Sequence, residues 1–235
     1  MDNTVADILR SRAGTYNDPR YFQEDPIAFP THFAELMSGS KASLQDVEIA
    51  GIFAAHLAWG RREMIVRDSK RLFEQMDWKP YDYVMKGVWR DDPSSLHRTI
   101  KWSETACICS RLKDIYLKQD SIEGMSIEEI RCGIFGAKAD RNAANKKINM
   151  FRRWMVRRDG MVDLGLWKNS DPAALLIPLD VHVHRCALEL GLTARKSADA
   201  GTVNEITEVF RELFPGDPCL GDFALFGYGV SRNNQ

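Results

Sequence analysis

The sequence predicts an all-α protein. Apolar residues recur at helical spacing through most of the 235 residues, and glycine or proline follows several of these segments. Only residues 179–184 alternate as a strand would, and they continue directly into a helical pattern. A chain of this length fits one large domain, and at the usual helix length it holds about eight to ten helices.

Three helices are predicted in the first half of the chain. The first covers residues 45–59, where apolar side chains form one broad stripe that ends at Gly60. The second and third, residues 61–76 and 102–117, repeat the stripe. Residues 91–93 lie between them and read Asp-Asp-Pro, which is typical of a loop.

Four more helices are predicted in the second half. Residues 142–158 and 180–190 carry apolar stripes of helical period. Residues 202–213 begin at Thr202 with a Thr-x-x-Glu pattern, which predicts a capping box. The last stripe covers residues 219–228.

Composition excludes several classes of protein. The chain is 44% hydrophobic and 28% charged, with a net charge of -1, so a disordered chain and a uniformly basic nucleic-acid coat are excluded, whereas a local basic face is not. It has no apolar run of about 18 residues and no secretory signal, so we expect a cytoplasmic protein without a membrane span. Its five cysteines have neither zinc nor iron–sulfur spacing, which predicts reduced thiols and no metal or cofactor.

Residues 145–158 combine six basic residues with a strong apolar face. The preceding residues, 135–142, have the composition of a turn between two helices. A turn that leads into a helix N-terminus presents free N–H groups and suits a phosphate group. The alternative, a surface helix with solvated Lys and Arg, is the commoner outcome for a basic run taken alone.

The segment around Asp180 is the second chemical feature. Pro178 and Leu179 precede Asp180 and place it at a helix start, where an aspartate commonly caps the first N–H groups. His182 and His184 are either ordinary core or surface histidines or a metal pair. A metal site needs further ligands, and the other three histidines lack ligand spacing to this pair.

These segments resemble the helix-hairpin-helix DNA glycosylases, a superfamily that includes endonuclease III and the oxoguanine glycosylases. Residues 180–185, Asp-Val-His-Val-His-Arg, and the Leu-Gly-Leu of residues 190–192 are similar to its Asp-x-His-Val-x-Arg…Leu-Gly-Leu segment. Residues 49–58 resemble its early buried helix, and residues 222–229 its closing helix. A narrower resemblance, over about residues 45–230, is to a bacterial family with the signature Lys-Arg-x-Asn-Met-Phe-x-Arg-Trp-Met-Val-Arg.

The chain departs from the superfamily pattern at the hairpin. The usual Leu-Pro-Gly-Val-Gly is absent, and residues 136–142 take its place. Asp180 follows Lys146 by 34 residues, a spacing more like that of the archaeal oxoguanine glycosylases. The iron–sulfur cysteines of endonuclease III are missing, as in the oxoguanine enzymes.

The resemblance implies a two-lobed helical fold with a central cleft that holds DNA. A lobe of middle helices is expected at about residues 45–158, and a lobe of chain ends at about residues 1–44 and 159–235. The implied activity is that of a monomeric DNA glycosylase and lyase that removes a damaged base, with an oxidised purine favoured by analogy. Two other functions stay open, a nucleic-acid-binding module without turnover and a metal-dependent hydrolase that uses His182 and His184.

The resemblance also implies roles for individual residues. Lys146 is the expected nucleophile and Asp180 its electrostatic partner. The signature has lysine first and arginine second, and arginine stays protonated, which favours Lys146 over Lys147. The DNA-phosphate candidates are Arg141, Lys147 and Arg185, and the base-pocket candidates are His56 and Trp167.

Overall fold

A computed structural model describes residues 2–233, and these residues form a mostly helical structure, which confirms the predicted all-α class. The described α-helices are, in chain order, α1 (Asn3–Tyr16), α2 (Ala28–Ser38), α3 (Leu44–Leu57), α4 (Arg62–Gln75), α5 (Pro80–Lys86), α6 (Trp102–Tyr116), α7 (Ile127–Glu129), α8 (Lys146–Val156), α9 (Val181–Glu189), α10 (Ala200–Leu213) and α11 (Leu220–Asn233). The other regular elements described are 3₁₀ turns at Pro19–Tyr21 and Pro172–Ala174, a π-helical turn at Ile130–Ile134, and the antiparallel strands β1 (Ser95–His97) and β2 (Ile100–Lys101).

The chain divides into two compact units. Residues 22–139 form the middle unit, and the two ends of the chain, up to Tyr21 and from Asp140 onward, form the terminal unit. These boundaries differ from the predicted ones near residues 45 and 158. The difference places α2 in the middle unit, where it packs on α3, and places α8 in the terminal unit, where its side chains bond to α11.

The middle unit is built around α3. Its residues from Val47 to Ala55 are all buried, and a helix buried on every side needs apolar or small residues all round. α2, α4 and α5 pack on it. Glu48 is the charged exception, and its carboxylate accepts hydrogen bonds from the hydroxyls of Tyr116 at 2.9 Å and Ser121 at 2.5 Å, so the buried charge is hydrogen-bonded.

A buried histidine fixes the β-hairpin to α4 and to the turn that precedes it. Nδ1 of His97 lies 2.8 Å from the Asp68 carboxylate, and Nε2 lies 2.9 Å from the carbonyl oxygen of Trp59. Burial raises the pKa of Asp68, hydrogen bonds from Arg67 and His97 lower it, and the net direction is downward. The sequence does not predict this hairpin, since strands this short show no measurable alternation.

Four helices supply most of one apolar core cluster in the terminal unit. α1, α9, α10 and α11 contribute its buried side chains, and α1 and α9 pack on α11. α10 begins at Ala200, and its N-cap is Asp199, whose carboxylate accepts the N–H of Thr202 at 3.0 Å. The capping box predicted at Thr202 is therefore wrong, because an aspartate three residues earlier supplies the cap.

Candidate active site

The loop before α8 places Lys146 at the first position of that helix. Asn145 takes a left-handed conformation, with a φ of 49°, which asparagine adopts more readily than most residues. Its side-chain amide donates to the carbonyl oxygen of Ala143 at 3.0 Å, so the turn is held locally. The helix therefore starts later than predicted, at Lys146 rather than Asn142.

Asp180 is the N-cap residue of α9. Its Oδ1 accepts the backbone N–H groups of His182 and Val183, both at 2.9 Å, which is the usual bonding of an aspartate cap. Its Oδ2 lies 3.7 Å from Nζ of Lys146. The side chain of Asp180 therefore both caps α9 and pairs with Lys146.

The structure brings the side chains of Lys146 and Asp180 together within the terminal unit. The two side chains are 30% and 32% exposed, so a bound molecule can reach both. The pair presents an amine, a nucleophile once it has lost its proton, beside a carboxylate able to stabilise positive charge. The catalytic roles of the two residues stay a prediction.

From this pair, a stripe of polar side chains runs along α8 into the interior of the terminal unit. Asn149 and Arg153 follow Lys146 by three and seven residues, a spacing that puts all three on one side of the helix. Asn149 and Arg153 are buried. Arg153 bonds through Nε to Asp163 at 3.2 Å and through Nη1 to Asp222.

Arg157, at the end of α8, extends the buried network. Its guanidinium donates to Asp217 at 2.9 Å and to Asp163 at 3.1 Å. Arg153 and Arg157 both lie against the ring of Phe223, at 4.6 Å and 4.8 Å from its centroid. These two arginines are held inside the protein by carboxylates, so the interpretation of the whole basic run as a phosphate-binding helix is wrong for them.

The carboxyl of Asp222 is electrostatically linked to Asp180 of the half-buried Lys146–Asp180 pair. Burial raises its pKa, Arg153 lowers it, and the negative charge of Asp180 raises it again, with a result of about 6. Burial also raises the pKa of Asp163 against the attraction of Arg153 and Arg157. The core next to the pair therefore holds a carboxyl that exchanges its proton near pH 6.

The predicted phosphate contacts all lie in the terminal unit. Arg141, in the loop before α8, and Arg185, on α9, are exposed. Lys147 is half-buried. Exposure leaves the two arginines accessible to a polyanion, and the contact of all three residues with DNA stays a prediction.

The two predicted pocket residues belong to different units. His56, near the end of α3, is half-buried and stacks on Phe135, with ring centroids 5.2 Å apart. Trp167 is fully buried and meets the ring of Phe151 edge-on at 5.2 Å. Trp167 is thus a core residue without an open face for a base, which corrects its assignment to a pocket wall, whereas the role of His56 stays a prediction.

The two histidines of α9 have different surroundings. His182 is exposed, and His184 is buried with Nε2 2.8 Å from the carbonyl oxygen of Arg195. Within residues 2–233, no group of three or more His, Cys, Asp and Glu side chains is arranged to hold a metal ion. The geometry therefore gives the alternative of a metal-dependent hydrolase no support.

Sequence reasoning did not find Asn149 or the buried arginine network. Polar residues that recur on the buried side of an apolar helix are a sequence signal for such a network, because each buried polar group needs a hydrogen-bond or ion-pair partner. Their acidic partners lie far along the chain, outside any shared local pattern, at Asp163, Asp217 and Asp222.

Fold and site together define a helical protein with an amine–carboxylate pair at the starts of two helices. The chain belongs to the family described as "Protein of unknown function (DUF2400)", which it matches over residues 25–133 and 128–231. Comparison with curated proteins and with solved structures finds no match. Every helix in the described part of the chain is too short or too polar to cross a membrane.

Proposed function

We propose that this protein is a DNA glycosylase with an associated lyase activity, which removes a damaged base and then cuts the strand at the abasic site. The observation that carries the proposal is the Lys146–Asp180 pair, with 3.7 Å between Nζ and Oδ2. We favour an oxidised purine as the substrate, by the resemblance of residues 180–185 alone. The proposed enzyme acts as a cytoplasmic monomer, as expected from the sequence.

The first chemical step needs an amine and a carboxylate at one carbon atom. The neutral amine of Lys146 attacks C1′ of the damaged nucleotide, so that an N–C1′ bond forms while the glycosidic bond breaks. The electron pair of the broken bond leaves with the base, which takes up a proton. The carboxylate of Asp180 stabilises the positive charge that develops at C1′, and its Oδ2 lies 3.7 Å from the amine nitrogen of Lys146.

The covalent intermediate then leads to strand cleavage. Opening of the sugar ring gives a Schiff base between Lys146 and C1′. Loss of the C2′ proton expels the 3′ phosphate by β-elimination, and water hydrolyses the imine and frees the lysine. This sequence needs no metal and no redox partner, since the electron pairs move only between the sugar, the base, the phosphate and the amine.

The surrounding residues would bind the substrate. The damaged base must leave the helical stack before its C1′ becomes accessible to an amine. We assign Arg141, Lys147 and Arg185 to DNA phosphates, supported by the exposure of the two arginines in the same unit as the pair.

Borohydride trapping tests the proposal. The purified chain is incubated with duplex and single-stranded oligonucleotides that each carry one lesion, and borohydride reduces any Schiff base to a stable adduct. We expect an adduct with at least one lesion, its loss in Lys146→Gln, and its retention in the control Lys196→Gln, which changes an exposed lysine of the same unit. Binding without an adduct or base release on any lesion would favour the non-catalytic binding module instead.

A further inference from the structure

Asn149 connects the two chain segments that lead into the candidate active site. It lies one helical turn after Lys146 on α8 and is only 2% exposed. Its Nδ2 donates to the carbonyl oxygen of Ala144 at 3.1 Å and is 3.4 Å from that of Ile177. Ala144 lies two residues before Lys146, and Ile177 lies three residues before Asp180.

The orientation of this amide follows from its partners. Both neighbours are carbonyl oxygens, which only accept hydrogen bonds, so the nitrogen must face them and a flipped amide would place oxygen against oxygen. The orientation leaves Oδ1 of Asn149 buried and without a hydrogen-bond partner in the described part of the chain. A buried acceptor without a partner is destabilising, and leucine, which has a similar shape, would avoid that loss.

We propose that Asn149 is a positioning residue for the Lys146–Asp180 pair, and this proposal rests on the proposed function for its chemical consequence. The two bonds of its amide hold the loop before α8 against the segment before α9. The starts of the two helices, and with them the ammonium and carboxylate groups, are thereby kept in register. When Nδ2 of Asn149 donates to both segments, Oδ1 is left buried without a hydrogen-bond partner among the described residues, which is destabilising.

The first experiment measures the pair directly and needs no substrate. Lysines of the full chain are labelled by reductive ¹³C-methylation, which preserves their charge, and the Lys146 signal is assigned by its absence in Lys146→Gln. In Asn149→Leu, we expect this signal to move toward its position in Asp180→Asn, where the charged partner is gone. A Lys146 signal that does not move in Asn149→Leu overturns the proposal.

A matched control comes from another buried side chain that bonds to Ile177. The hydroxyl of Thr207 accepts the N–H of Ile177 at 3.3 Å, and Thr207→Val removes that bond without touching the loop before α8. We expect the Lys146 signal to stay in place in this variant. An equal movement in both variants would show a general loosening of the segment and would overturn the specific role of Asn149.

The second experiment measures single-turnover adduct formation on the trapped lesion. Asn149→Leu should lower the rate at saturating oligonucleotide by about 10- to 100-fold, because a small misplacement of reacting groups has effects of this size. The oligonucleotide concentration for half-maximal rate should stay unchanged, since Asn149 is buried away from DNA. A change confined to that concentration would contradict a positioning role.

Asn149→Asp provides a rescue by pH. The ionised carboxylate faces two carbonyl oxygens and has no hydrogen to donate, whereas the protonated carboxyl donates one hydrogen bond. The rate relative to the unmodified chain should therefore rise as the pH falls, and a ratio independent of pH would contradict the proposal.

If neither Asn149 variant folds, Asn149 acts on stability and the proposal is overturned. A chain that traps no lesion ends the proposed function alone, because the labelled Lys146 signal still decides the role of Asn149.

Discussion

Asp180 uses its two carboxylate oxygens for different purposes, and Oδ2 is the one that forms an ion pair with Lys146. Oδ1 caps α9, while Oδ2 lies 3.7 Å from Nζ of Lys146. An asparagine side chain has the capping oxygen but not the charge. One substitution can therefore separate the part of Asp180 that stabilises the helix from the part that faces the lysine.

Asp180→Asn is expected to stop the chemistry and to preserve the fold. Asparagine caps helices about as well as aspartate, so the free energy of unfolding should change by less than about 1 kcal/mol. The rate of base release should fall by about 100-fold or more, because the neutral amide no longer stabilises charge at C1′. Urea unfolding and single-turnover base release measure the two effects. Asp199→Asn, at the N-cap of α10, is the control for a cap whose cationic partner is Arg195 rather than a lysine.

Lys146→Gln and Lys147→Gln separate the two candidate nucleophiles. Glutamine cannot form a Schiff base, so Lys146→Gln should abolish the trapped adduct and strand nicking. A slow base release driven by water is compatible with this outcome. Lys147→Gln should still trap, with weaker binding through the loss of one phosphate contact. The reverse pattern would move the nucleophile to Lys147, and an unchanged base release in both variants would contradict the mechanism.

The stability of the terminal unit should depend on the protonation of Asp222. Its pKa is raised from 3.8 to about 6, so the folded chain holds this proton more tightly than the unfolded chain. The corresponding stability is present below about pH 4 and is lost as the pH rises through about 6, with a size of up to about 3 kcal/mol. Urea unfolding across this range should show a steeper decline for the unmodified chain than for Asp222→Asn. Parallel curves for the two chains would contradict the linkage.

Helix positions were largely predictable from the sequence, and their ends were not. The apolar stripes predicted α3, α4, α6 and α8–α11, and the structure places each near its predicted position. α1 gave no usable stripe because the side it buries includes the small residues Ala6 and Ala13. The observed starts of α8 and α10 differ from the predicted ones because left-handed Asn145 and the N-cap Asp199 determine them. A cap depends on a single residue, so the apolar period does not predict it.

The site was predictable only where its residues stand at helix starts. Lys146 and Asp180 each open a helix, so local patterns and the family resemblance marked both. The network behind them joins Arg153 to residues 10 and 69 positions along the chain, Asp163 and Asp222. The periodicity of a single helix carries no information about contacts with residues so far along the chain. For this reason the six basic residues of 145–158 suggested a solvated or phosphate-binding surface rather than a buried network.

The buried network also changes the expected electrostatics of DNA binding. Arg153 and Arg157 face carboxylates inside the protein, and Arg195 pairs with Asp199 at 3.0 Å. Arg153 and Arg157 therefore do not add to a phosphate-binding surface, and the Asp199 carboxylate offsets the charge of the exposed Arg195. The remaining candidates are Arg141, Lys147 and Arg185.

The affinity for DNA should therefore fall with salt at a moderate slope. Each neutralised phosphate adds roughly 0.9 to the slope of log affinity against log salt concentration, so three contacts give about 2.7. Fluorescence anisotropy with one oligonucleotide over a series of salt concentrations measures this slope. Arg141→Ala and Arg185→Ala should each reduce it by about 0.9. Arg10→Ala, which removes an exposed arginine of α1 that pairs with Asp7, should leave it unchanged. An affinity that stays flat with salt, or a slope insensitive to Arg141 and Arg185, would show that these residues do not contact the phosphates.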